Sequence, residues 1–129
     1  MSAIVRTGID LIEIRRIAGL SPEIRSRFLR RVFTPLELEI CADKDERLSG
    51  RFACKEAVSK ALGTGIGEIS WQEIEIGNDE RNMPVLLLHG NAEKTAAALG
   101  ISQWSVSISH TRDYATAIAV GTGTGPAPE

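Results

Sequence analysis

The rhythm of apolar positions divides the chain. Residues 4–11 (Ile-Val-Arg-Thr-Gly-Ile-Asp-Leu) are rich in β-branched side chains and read as a strand, with Gly8 marking a close approach of another backbone. Helical spacing follows. Ser21-Pro22 supplies an N-cap serine and a proline at the first position; Ile24, Phe28, Leu29 and Val32 form an inner face, while Arg25, Arg27, Arg30 and Arg31 point outward. Thr34-Pro35-Leu36-Glu37 is a capping box opening a helix that carries Leu36, Leu38 and Ile40 to about Ala42. Beyond a charged loop at 43–47, a third helix is predicted from about Ser49 to Leu62. In it Ala53, Ala57 and Ala61 recur every four residues, a spacing that lets another backbone come close, so this helix is expected to be buried.

Period two returns after the glycines at 63–67. In residues 71–76, Gln72, Ile74 and Ile76 face one way and Trp71, Glu73 and Glu75 the other. A polar turn and a second strand at 84–89 complete a hairpin. Asn91 caps a helix over 92–99, which Gly100 ends. In the strand at 104–110, Trp104, Val106, Ile108 and His110 share one face and the serines the other. Residues 111–113 turn it into a last strand at 114–120. Residues 121–129 have no packing side chains and are expected to be a disordered tail, leaving a domain over 1–120. Runs of helices and hairpins, rather than alternating βα units, predict an α+β fold with a mostly antiparallel sheet packed with helices.

Composition narrows the class. With 129 residues, 43% hydrophobic and 25% charged, the chain suits one globular domain able to bury a core without staples. The longest apolar run, 85–88, is too short to span a membrane, and no secretory leader is visible. Cys41 and Cys54 lack metal-ligand spacing, which fits reduced thiols of a cytoplasmic protein. Net charge is −2, yet residues 1–31 hold seven arginines against Asp10, Glu13 and Glu23. Such a basic third suggests an acidic partner, although arginines on a solvated helix face would look the same. Nucleic acid is disfavoured by the acidic remainder and by Phe28 being the segment's one aromatic.

Three places hold candidate chemistry. Glu56 and Lys60 lie four apart in the buried-looking helix; they form either an exposed ion pair or a carboxylate and ammonium aimed at a polyphosphate and its metal. Asp10 sits between Ile9 and Leu11, where a carboxylate is paired, metal-bound or capping a turn. His110 ends an inward-facing row and has a hydrogen-bonded structural role open to it. The glycines at 63–67 match neither a P-loop nor a dinucleotide turn; the first reads as a helix C-cap, and the rest are free to cover a cofactor.

Residues 51–65, Arg-Phe-Ala-Cys-Lys-Glu-Ala-Val-Ser-Lys-Ala-Leu-Gly-Thr-Gly, resemble the signature of the phosphopantetheinyl transferases, in particular the short holo-acyl-carrier-protein synthase type. That pattern reads Arg-Phe-Ala-x-Lys-Glu-Ala-x-x-Lys-Ala-x-Gly-Thr-Gly. Gly-Ile-Asp at 8–10 with the following 11–17 segment, and Ser-Ile-Ser-His at 107–110, are similar to its other two motifs. The resemblance implies the 4′-phosphopantetheinyl transferase fold. It implies a magnesium-dependent transfer of 4′-phosphopantetheine from coenzyme A to a serine of an apo acyl carrier protein, releasing adenosine 3′,5′-bisphosphate in fatty acid or polyketide biosynthesis. By the same resemblance Asp10 and Glu56 hold Mg2+, and Lys60 stabilises charge on the leaving phosphate. Arg51, Lys55, Lys60 and His110 contact the coenzyme, and the carrier docks on Arg16, Arg27 and Phe28, with Arg25 and Arg31 beside them. It further implies a homotrimer with sites between subunits, and neither membrane nor nucleic acid as partner. A small module that binds acidic proteins, with the same fold but no activity, is the alternative that intact Asp10, Glu56 and Lys60 oppose.

Overall fold

The computed structural model describes residues 3–127. In chain order the elements are β1 (Ile4–Glu13), α1 (Arg15–Ala18), α2 (Pro22–Val32), α3 (Pro35–Cys41), α4 (Asp45–Leu62), a 3-10 turn (Trp71–Glu73), β2 (Ile74–Asn78), β3 (Pro84–Leu88), α5 (Gly90–Ala98), β4 (Ile101–His110) and β5 (Tyr114–Gly123). Two antiparallel sheets form: β1-β5-β4, and the hairpin β2-β3. The fold is α+β, as the pattern predicts.

Small residues set its centre. The inner face of the three-stranded sheet presents Gly8, Ala115, Ala117 and Ala119, and α4 lays Ala53, Ala57 and Ala61 against it, all buried. A Cβ on Gly8 would collide with the Ala57 carbonyl, so the glycine is what lets β1 and α4 approach so closely. Around this seam Ile12, Ile17, Leu48, Val58, Ile69, Ile74 and Ile76 close one continuous core. The opposite face of the sheet is different: Val5, Ile9, Leu11 and Ile118 are 65%, 62%, 64% and 41% exposed.

Several boundaries move from their expected places. Helix α4 begins at Asp45 rather than Ser49, because Asp45 and Glu46 suit the positive end of a helix and Leu48 is buried. Ile24 is half-exposed, so the inner face of α2 is Phe28, Leu29 and Val32. Residues 71–73 form a turn, with Glu73 accepting from the Ser70 N–H (3.0 Å) and from the Ala92 N–H (2.9 Å). Helix α5 therefore starts at Gly90 and is capped by Glu73, not by Asn91. The tail expected from 121 is strand up to Gly123, which pairs with both Ile4 and Ile101. Residues 128 and 129 of that tail lie outside the described residues. Cys41 and Cys54 are buried and unbonded, and burial pushes their thiols up to about 11 and about 12, well away from reactive thiolates.

Candidate active site

Asp10 follows Gly8 by two residues and so points to the same inner face, toward α4. The close seam brings it within reach of the helix. Lys60 Nζ donates to Asp10 Oδ1 (3.1 Å) and to the Ile9 carbonyl (2.9 Å), and the Thr116 hydroxyl donates to the Asp10 carbonyl (2.7 Å). The i, i+4 pair between Glu56 and Lys60 is not among the ion pairs of the described residues; Lys60 bridges to the strand instead. Glu56 is half-buried one turn before Lys60. Burial holds its carboxyl above the ordinary range, the negative charge of Asp10 adds to this, and Lys60 and Arg16 pull it back.

Asp10 is thus paired with one ammonium, and its negative charge acts on Glu56 as well. A divalent cation would relieve that repulsion, and two carboxylates are what magnesium takes when phosphates and waters complete its shell. Among the described residues no group of three or more His, Cys, Asp or Glu could hold a metal, so Asp10 and Glu56 fit only as part of such a shell.

A second cluster lies elsewhere on α4. Arg51, buried along its stem, donates from Nε to the Ile76 carbonyl (3.1 Å) and from Nη2 to Asn78 Oδ1 (2.7 Å). It lines a cleft of about 560 Å³ with Arg47, Asn78, Asn82, Ile108 and the exposed His110. Arg51 and Glu56 are five residues apart, about 140° around a helix, so one chain turns the two clusters to different sides. The sequence reading missed Arg47, placed in a loop, and Asn82, whose positive φ of 61° marks the hairpin turn.

Lys55 departs from its expected role. Its ammonium is fully buried, 2.7 Å from Glu37 Oε1, and donates to the Trp71 (3.0 Å) and Ile74 (2.5 Å) carbonyls. Enclosed in this way it has no path to a coenzyme phosphate. Glu37, read only as the capping-box residue, does cap Thr34 and also accepts from the Ile76 N–H (2.8 Å). The clue in the sequence was Lys55 itself, flanked by Cys54 and by the buried alanine stripe.

On the basic third, Arg16 and Arg27 are exposed on α1 and α2. Phe28 is partly buried against the core, its ring edge-on to Phe33 (6.3 Å between centroids) and tilted against Phe52 (5.6 Å). Arg25 is committed internally to Asp43 (3.0 Å) and Asp45 (2.6 Å), which removes it from the free surface; Arg31 stays exposed.

Known proteins share this fold. The family model described as the 4'-phosphopantetheinyl transferase superfamily matches residues 6–119. A holo-[acyl-carrier-protein] synthase from Herpetosiphon aurantiacus is 47% identical over 124 residues, covering 91% of this chain and 98% of that one. The crystal structure of the Helicobacter pylori holo-[acyl-carrier-protein] synthase in complex with coenzyme A superposes with a TM-score of 0.82 at 37% identity, covering 89% of this chain and 98% of the other. A synthase from Bacillus anthracis in complex with CoA (3',5'-ADP) gives 0.75 at 36% identity, over 95% and 99%.

Proposed function

The chain belongs to the 4'-phosphopantetheinyl transferase superfamily, and we propose that it moves 4′-phosphopantetheine from coenzyme A to a serine of an apo acyl carrier protein. The observation that carries this reading is the Lys60–Asp10 contact across the β1–α4 seam, with Glu56 one turn before Lys60 on α4. The serine oxygen attacks the phosphorus that bears pantetheine. The bond from that phosphorus to the 5′-phosphate of adenosine breaks, and adenosine 3′,5′-bisphosphate leaves as an anion. The serine proton goes to a base at the carboxylate pair. Such transfer is governed by positioning and charge neutralisation more than by covalent chemistry. Mg2+ held by Asp10 and Glu56 would neutralise charge on the pyrophosphate. Lys60 already points into the same field and stabilises the leaving phosphate.

The candidate coenzyme contacts of one chain fall in two places. The basic cleft of Arg51 and His110 opens to another side, and the outer sheet face leaves Val5, Ile9, Leu11 and Ile118 uncovered. A homotrimer accounts for both: the apolar faces pack together, and the cleft of one subunit completes the carboxylate site of its neighbour. The exposed Arg16 and Arg27 receive the acidic carrier. No helix among the described residues is long and apolar enough to cross a membrane.

The test is incubation with coenzyme A, Mg2+ and an apo carrier, followed by mass spectrometry. A carrier heavier by one phosphopantetheine is expected, and an unmodified carrier rejects the assignment. Light scattering on the active preparation should give a trimer; a monomer mass would rule out a shared site.

A further inference from the structure

Strand β2 has two edges. One pairs with β3, from Ile74 opposite Leu88 to Asn78 opposite Pro84. No strand of the described residues lies along the other, and charged side chains take its place. Lys55 donates to the Ile74 carbonyl (2.5 Å), Glu37 accepts from the Ile76 N–H (2.8 Å), and Arg51 donates to the Ile76 carbonyl (3.1 Å). Lys55 and Glu37 also pair with each other at 2.7 Å, both side chains 0% exposed. Helix α4 is thereby tied to β2 at two successive turns, by Arg51 and by Lys55, and cannot rotate or slide without breaking these bonds.

Burying two charges is a poor way to gain stability, since an apolar pair of similar volume often does as well or better. An apolar pair would leave the edge groups of β2 unbonded, however, and would fix no rotation. Glu56 follows Lys55 directly, about 100° around the helix, and Lys60 comes one turn later. Whatever locks the angle of Lys55 locks the direction of both.

Resting on the transfer reading above, we propose that the buried Lys55–Glu37 pair is a positioning device that holds α4 at the rotation aiming Glu56 and Lys60 at Asp10. Lys55 touches no substrate; it acts through its neighbour.

The experiment compares the full-length wild type with Lys55→Met, Glu37→Gln and the double variant in steady-state transfer assays, thermal melts and amide exchange. Each single variant is expected to lower kcat roughly tenfold or more while KM for coenzyme A stays within about twofold. The double variant leaves neither charge of the pair without its partner. Its Tm should return toward wild type while kcat stays low, and the Ile76 amide should exchange faster wherever Glu37 is changed. Should a single variant fail to fold, kcat of the double decides. A double variant that regains both Tm and kcat makes the pair merely structural and overturns the proposal. So does Lys55→Met with raised KM for coenzyme A and intact kcat beside a normal Glu37→Gln, because Lys55 would then be reaching the phosphates. Full kcat in the variants of an active wild type sinks the positioning role alone. A wild type with no transfer activity sinks the functional reading, and this role with it.

Discussion

Helix α4 carries two stripes of charge at the same i, i+4 spacing, and they meet opposite fates. Arg51 and Lys55 turn toward β2, 8% and 0% exposed, and their donors end on backbone carbonyls, Asn78 and Glu37. Glu56 and Lys60 turn toward β1. The Lys60 side chain is 52% exposed, and Glu56 carries a carboxyl raised by burial and by Asp10. On the first side the interactions of Lys55 are complete, and nothing remains for a ligand. On the second, Lys60 pairs with Asp10, and Glu56 has no ion-pair partner among the described residues. Charges become structural where the fold completes their bonds and functional where it leaves them unfinished.

The largest effect tests the unfinished stripe. Glu56→Gln and Asp10→Asn keep shape and remove charge, so each should leave Tm close to wild type while transfer falls about a hundredfold or more. Kinetics at fixed Mg2+ alongside a thermal melt measure both. Near wild-type rates in either variant would show that the carboxylates are not metal ligands.

The seam and the open stripe were legible in the sequence because their signals are local. Gly8 in a strand, alanines every four residues and the Arg-Phe-Ala-x-Lys-Glu run each announce a close approach or a motif within one element. Lys55 was misread because its partners, Glu37, Trp71 and Ile74, lie on other elements, sixteen or more residues away. Spacing reports which side chains share a face, and says nothing of which backbone edge that face meets. The end of β5 was hidden for a related reason. Gly121 and Gly123 supply no packing side chain, yet strand pairing needs only backbone, and their missing Cβ makes room for Trp104, Ile101 and the Gly100 carbonyl. The start of α4 looked like a charged loop, although Asp45 and Glu46 are what a first helical turn favours.

The next effect in size disturbs both stripes together. Gly8→Ala forces a methyl group into the Ala57 carbonyl, so β1 and α4 must separate. A stability loss of about 1–3 kcal/mol in urea melts is expected. Activity should fall further than stability, because Asp10 and Lys60 part. A variant with wild-type stability would show that the seam is looser than its contacts suggest.

A smaller effect lies at the surface arginines. Arg27→Ala should raise KM for apo carrier several-fold at low salt, with KM for coenzyme A nearly unchanged and the penalty shrinking as salt rises. Arg16→Ala should do the same and also disturb kcat, because Arg16 belongs to the field that lowers the Glu56 carboxyl. Equal effects on both substrates would mean that the carrier docks elsewhere.

The smallest effect concerns a carboxylate whose bonds are finished. Glu75 accepts from the Thr34 hydroxyl (2.5 Å) and lies 3.0 Å from His89 Nε2, its side chain 14% exposed. The Thr34 bond holds its carboxyl below the ordinary value of 4.5, burial works against this, and the His89 bond assists. The direction is opposite to that of Glu56. A carboxyl held low in the folded state binds its proton less readily there than in the unfolded chain. Its contribution to stability is therefore complete above about 4.5 and is lost as pH falls through the lower folded value. Glu75→Gln should cost on the order of 1 kcal/mol at neutral pH and flatten the decline of stability on acidification. Thr34→Val should flatten it too, with a larger loss at neutral pH because the hydroxyl also accepts from the Glu37 N–H at the start of α3. Urea melts at a series of pH values from neutral to acid measure both slopes. An unchanged acid slope in Glu75→Gln would show that the hydroxyl bond carries no preference for the ionised form. The division between finished and unfinished charges would then have to rest on geometry alone.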